Sequence, residues 1–99
     1  MAENPLDAIK KLDPKLFSLV EETRQFALGD GALPRKYKVL IALALDAAHG
    51  AVDGVASLTR VAMNAGATKE EIAETIRVAQ YISGVGSVYT ASRAWKELF

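Results

Sequence analysis

The spacing of apolar and polar positions predicts a chain built from helices. Asn4 and Pro5 read as N-cap and first position of a short helix over about residues 5–12, since proline there sacrifices no hydrogen bond. Asp13-Pro14 repeats the device and opens a longer helix. Its apolar face is Leu16, Phe17, Leu19, Val20 and Phe26, with Glu21, Glu22 and Arg24 toward water. Gly29-Asp30-Gly31 is expected to stop it through a left-handed glycine. Pro34 starts a third helix, which runs to about His49 and is closed by Gly50. Its stretch from Val39 to Leu45 is apolar all round, which predicts a central helix buried on every side.

A fourth helix, from about Val52 to Ala65, carries Val55, Leu58, Ala62 and Ala65 on one face. Asp53, Ser57, Arg60 and Asn64 line the other, and Gly66 ends it. Thr68-Lys69-Glu70-Glu71 has the spacing of a capping box and opens a fifth helix, with Ile72, Ile76, Ala79 and Tyr81 as inward candidates. After the small-residue break Ser83–Ser87, helical spacing resumes to about Leu98 through Tyr89 and Trp95. Gly84 and Gly86 fit a close backbone approach better than a phosphate loop, because no strand precedes them and no Gly-Lys-Ser/Thr follows. The expectation is an all-α bundle of five to six helices.

Length makes this one domain over 1–99. Twelve basic against twelve acidic residues leave no surplus charge to neutralise phosphates, which argues against a nucleic-acid partner. Cysteine is absent, so disulfides and thiol chemistry are excluded, and a single histidine leaves zinc without its usual ligands. Neither a metal nor a cofactor is expected. The start, Met1 to Asp7, has no basic and apolar leader pattern, and the longest apolar run is far short of a membrane span. A cytoplasmic location without membrane attachment is the expectation.

Two segments carry a family resemblance: the helix Lys36-Tyr-Lys-Val-Leu-Ile-Ala-Leu-Ala-Leu-Asp46 with Gly50, and Arg60-Val-Ala-Met-Asn-Ala-Gly-Ala-Thr-Lys-Glu-Glu-Ile72. Over about residues 34–91 the chain resembles the carboxymuconolactone decarboxylase family, which includes the AhpD-like alkylhydroperoxidases. The resemblance implies an all-α, AhpD-like fold that assembles as trimers or hexamers, with active sites near subunit contacts. The family's redox members use Cys-x-x-Cys, a histidine four positions later and a glutamate for proton relay. By the resemblance these positions fall on Ala51, Gly54, Leu58 and, for the glutamate, near Val39. None retains the functional residue. The thiolate is the nucleophile of that chemistry, so the peroxidase mechanism does not carry over.

Among the remaining polar residues, His49 lies three positions after Asp46 and on the same helical face. This suits a proton carrier oriented by a carboxylate, and equally a histidine stabilised at a helix C-terminus. Arg35, Lys36 and Lys38 could form a cationic mouth for a carboxylate or a solvated basic turn; the family's decarboxylases act on a dicarboxylic lactone. Arg60 could bind an anion or bridge subunits. Tyr81, Tyr89 and Trp95 read as core or interface aromatics.

A short, neutral, half-apolar chain has more apolar surface than a monomer can bury, notably Phe17, Val61, Met63, Val85, Val88 and Trp95. The expectation is therefore a homo-oligomer, and the resemblance implies that, if the chain is an enzyme, it acts on a small organic acid by acid/base chemistry. His49 would carry the proton, Asp46 would orient it, and Arg35, Lys38 or Arg60 would clamp the carboxylate. The alternative is a non-catalytic binding or structural assembly. A cavity lined by both His49 and Arg60 would favour the enzyme, and an apolar inter-subunit cavity the assembly.

Overall fold

Local sequence sets most helix boundaries. The computed structural model describes residues 4–99, within which the chain forms α1 (Asp7–Leu12), α2 (Pro14–Leu28), α3 (Arg35–Ala48), α4 (Val52–Asn64), α5 (Lys69–Ser83) and α6 (Gly86–Trp95). No strand occurs among the described residues, and none of their helices is long and apolar enough to cross a membrane. Met1, Ala2 and Glu3, which open the leader-free start expected from the sequence, lie outside the described residues.

The capping signals act largely as their chemistry requires. Asp13 accepts a hydrogen bond from the Leu16 N–H at 3.0 Å, with Pro14 beside it at the first position of α2. Thr68 and Glu71 satisfy each other's backbone N–H groups in a complete capping box. The first helix differs: the Asn4 side chain accepts from the Leu6 N–H at 2.9 Å, but α1 begins only at Asp7. The Asn-Pro pair makes a turn in front of the helix rather than its first turn. At the end of α2, Gly29 is extended, not left-handed. The left-handed glycines are Gly50, Gly66 and Gly84.

Gly50 and Gly66 close their helices in the same way. The Ala51 N–H reaches the Asp46 carbonyl at 2.9 Å and the Gly50 N–H reaches Ala47 at 3.2 Å; Ala67 to Ala62 and Gly66 to Met63 repeat the pattern at 2.9 and 3.0 Å. These paired bonds satisfy the last carbonyls of α3 and α4 and turn the chain sharply.

Helix α3 is the hub, packed against α2, α4, α5 and α6. Its buried Val39, Leu40, Leu43 and Ala47 meet Val55 and Ala62 of α4, Ile72 and Ile76 of α5, and Ala91 and Ala94 of α6. It is not buried on every side, however: Ile41 is 50% and Leu45 56% exposed. Four neighbours on one side leave the opposite stripe of α3 uncovered within a single chain. Tyr81 likewise points outward, at 83% exposure. On α2 no residue is buried, so most of the predicted apolar face does not meet its own chain. By contrast Val61, Met63 and Trp95 pack against the core as partly buried side chains. Trp95 Nε1 donates to Thr59 Oγ1 at 2.8 Å, and Thr59 Oγ1 donates to the Val55 carbonyl at 2.7 Å, so the buried hydroxyl and the indole are both paired.

Candidate functional site

Two regions collect the polar residues singled out by the sequence. The first is the corner where α3 turns into α4. Asp46 stands in the last turn of α3, His49 is the C-cap, and Ala51 is the N-cap of α4. The half-buried Asp46 side chain leans across to Gly54, the third residue of α4. A Cβ at position 54 would lie 2.9 Å from Asp46 Cγ and would overlap Oδ2 outright, so glycine makes the room the carboxylate occupies. The free N–H groups and dipole of the α4 N-terminus favour negative charge there, which Asp53 in the same turn also supplies.

His49 is exposed, and no hydrogen bond joins its side chain to Asp46 among the described residues. Shared helical face alone does not couple them, because Asp46 is turned toward α4. Ala51 is half-buried at the helix start, Leu58 packs against the core, and Val39 is fully buried within it. The positions that would carry a thiol pair and its relay groups are thus occupied by space for Asp46 and by apolar packing.

The basic turn at the start of α3 divides among separate tasks. The Arg35 N–H donates to Asp30 Oδ1 at 2.6 Å, while its side chain lines a hollow with Val61, Asn64 and Ala65. Lys38 Nζ donates to the Gly29 carbonyl at 2.6 Å and so closes the end of α2. Lys36 Nζ donates to Glu71 Oε2 at 3.1 Å and ties α3 to α5. The Glu71 carboxyl is held below its ordinary value, chiefly by the Thr68 backbone N–H and next by the Lys36 ammonium. Arg35 and Lys38 also stand at the opposite end of α3 from His49, about 15–20 Å along the helix at its ordinary rise per residue. Within one chain these groups do not form one site.

The second region is a cleft of 480 Å³ between α4 and α6. Asp53, Ser57 and Arg60, one polar face of α4, meet Arg93 and Lys96 from the last turns of the chain, with Glu97 at the edge. Arg60, Arg93 and Lys96 make no ion pair among the described residues, although two carboxylates share the cleft. His49 does not line it. Sequence reasoning found Arg60 but missed Arg93 and Lys96. Their three-residue spacing on one face of the final helix was the available signal. Among the described residues no cluster of three or more His, Asp or Glu side chains offers a metal-ligand set.

Solved structures of other proteins share the fold. The apo form of a carboxymuconolactone decarboxylase family protein from Legionella pneumophila superposes with a TM-score of 0.86 at 33% identity, over 92% of this chain and 81% of that one. A carboxymuconolactone decarboxylase candidate from Burkholderia xenovorans LB400 gives 0.78 at 29% identity, over 98% and 82%. No curated protein sequence matches the chain. The family model for carboxymuconolactone decarboxylases matches residues 12–97, which takes in α2 to α6 and both regions above. With that match and a solved relative one-third identical, the chain belongs to the carboxymuconolactone decarboxylase family, as a member without cysteine.

Proposed function

We propose that this protein is a cytoplasmic homo-oligomer, a trimer or hexamer, that binds a small organic acid in the α4–α6 cleft without thiol chemistry. The observation that carries the reading is the convergence of Arg60, Arg93 and Lys96, none in an ion pair among the described residues, on one cleft with the Ser57 hydroxyl. Guanidinium groups bind carboxylates through paired, charge-assisted hydrogen bonds, and a cleft of 480 Å³ suits a metabolite-sized ligand. Assembly is supported by the exposed Ile41 and Leu45 on α3 and Val78 and Ile82 on α5, of which Ile41 and Val78 line one apolar hollow of the sort subunits cover.

Binding is the primary activity in this reading, because the cleft holds Arg60 but not His49. Turnover by acid/base chemistry would fall to His49, exposed at the α3 C-cap, once a neighbouring subunit brought it to a bound acid. The test is calorimetric titration of the purified protein with succinate as the probe, beside native mass spectrometry. Saturable, salt-sensitive binding that is lost in Arg60→Gln/Arg93→Gln supports the cleft. Absence of binding by an intact oligomer would instead assign the chain a structural role.

A further inference from the structure

Helix α2 has one side that packs on its own chain and a second, apolar side that does not. Its half-buried positions Phe17, Glu21 and Leu28 fall on a single side. Leu16, Leu19, Val20 and Phe26 form a second stripe, centred roughly 140° further round the helix at 3.6 residues per turn. All four are exposed, Phe26 by 90%. Among the described residues, α2 packs only against α1 and α3. Fifteen residues of helix gain most of their stability from burying an apolar face, and this stripe is a surface of the kind a partner covers.

The same chain offers a matching groove. Between α5 and α6, two adjoining hollows of 340 and 290 Å³ share Ile76, Val88 and Trp95 as their apolar floor. Arg77 and Lys96 flank it, and neither is in an ion pair among the described residues. On α2, the exposed Glu22 lies beside the second stripe, one turn from both Leu19 and Phe26, and it too makes no ion pair among the described residues. The hollow between α3 and α5 is a poorer host, since no charged side chain lines it.

We infer that α2 of one chain docks in the α5–α6 groove of a second copy. Leu19 and Phe26 then cover Trp95 and Val88, and Glu22 faces the Arg77 side of the groove. This is the helix-in-groove mode of recognition, with apolar anchors for affinity and charge for orientation. The inference rests on the homo-oligomeric reading above and assigns its contact.

Because the chain has no cysteine, introduced thiols report the contact without background. Leu19→Cys and Val88→Cys, made as separate single variants and co-expressed, are oxidised and analysed unreduced by mass spectrometry, with native mass spectrometry of the unsubstituted protein alongside. The expected result is an oligomer whose main oxidation product is a mixed disulfide, joining the thiol introduced at position 19 of one chain to that at position 88 of another. An oligomer without that disulfide overturns the docking and leaves assembly standing, whereas a monomer overturns both. Phe26→Asp, at a position its own chain does not bury, is expected to reduce the oligomer mass with helicity unchanged. Full retention of mass by this variant contradicts the inference.

Discussion

The Asp46 carboxylate fills the space in which a side chain at Gly54 would stand, with its Cγ 2.9 Å from where a Cβ would be placed. The backbone at position 54 is ordinary helix, so the glycine is needed for room and not for conformation. The two residues therefore constrain each other across the α3–α4 corner.

That mutual constraint predicts a double-mutant result. In the unsubstituted background Gly54→Ala forces the Asp46 side chain to turn, offsetting the roughly 1 kcal/mol that alanine gains over glycine in a helix. In an Asp46→Ala background the clash is gone, and Gly54→Ala should stabilise by about 0.5–1 kcal/mol. Urea denaturation of the four proteins gives the coupling, and a coupling near zero would mean that the carboxylate moves freely.

Thr59 and Trp95 make the second coupled pair. Thr59→Val keeps the shape of the buried side chain but removes the acceptor for the indole N–H, held at 2.8 Å. An unpaired, partly buried N–H costs about 1–3 kcal/mol, so the denaturation midpoint should fall by the equivalent amount. Trp95 is the sole tryptophan, and its emission maximum should shift in the folded variant.

Glu71 links stability to pH. Its folded pKa lies below the ordinary 4.5 because the Thr68 N–H and Lys36 stabilise the carboxylate. Protonation is therefore harder in the folded state, and the contribution is present above about pH 4.5 and lost as pH falls through the lowered folded value. The stability difference between the unsubstituted protein and Glu71→Gln should be constant near neutrality and shrink in acid. Denaturation midpoints measured from neutral to acid pH test this. A difference that grows in acid has the wrong sign.

In the α4–α6 cleft, Arg60→Gln should weaken succinate binding by about 10- to 100-fold, the range for losing one hydrogen bond to a charged group. His49→Ala should cost much less of that affinity, since His49 does not line the cleft within its own chain. Calorimetric titration of both variants separates binding from proton transfer. Equal losses in the two would place His49 at the ligand.

Much of the fold is legible along the chain because caps and glycine stops act through neighbours in sequence. Asp13, the Thr68–Glu71 box, Gly50 and Gly66 each use atoms within five residues. Gly29 misleads because the closure of α2 comes partly from Lys38, nine residues away. The candidate site is harder to read. Arg60 stands out on a polar face, but Arg93 and Lys96 come 33 and 36 positions later, and only the packing of α4 on α6 brings them to one cleft.

By itself, then, the sequence determined an all-α chain, the approximate spans of its helices and the impossibility of thiol chemistry, since periodicity, capping and the absence of cysteine are local or compositional properties. Tertiary structure alone decided that α3 is buried on one side, that Asp46 turns to Gly54 rather than bonding His49, and that Leu16, Leu19, Val20 and Phe26 of α2 are left uncovered. These depend on how helices pack around α3. An apolar side chain is buried only where another element arrives to cover it, and spacing along one helix does not say which face that will be.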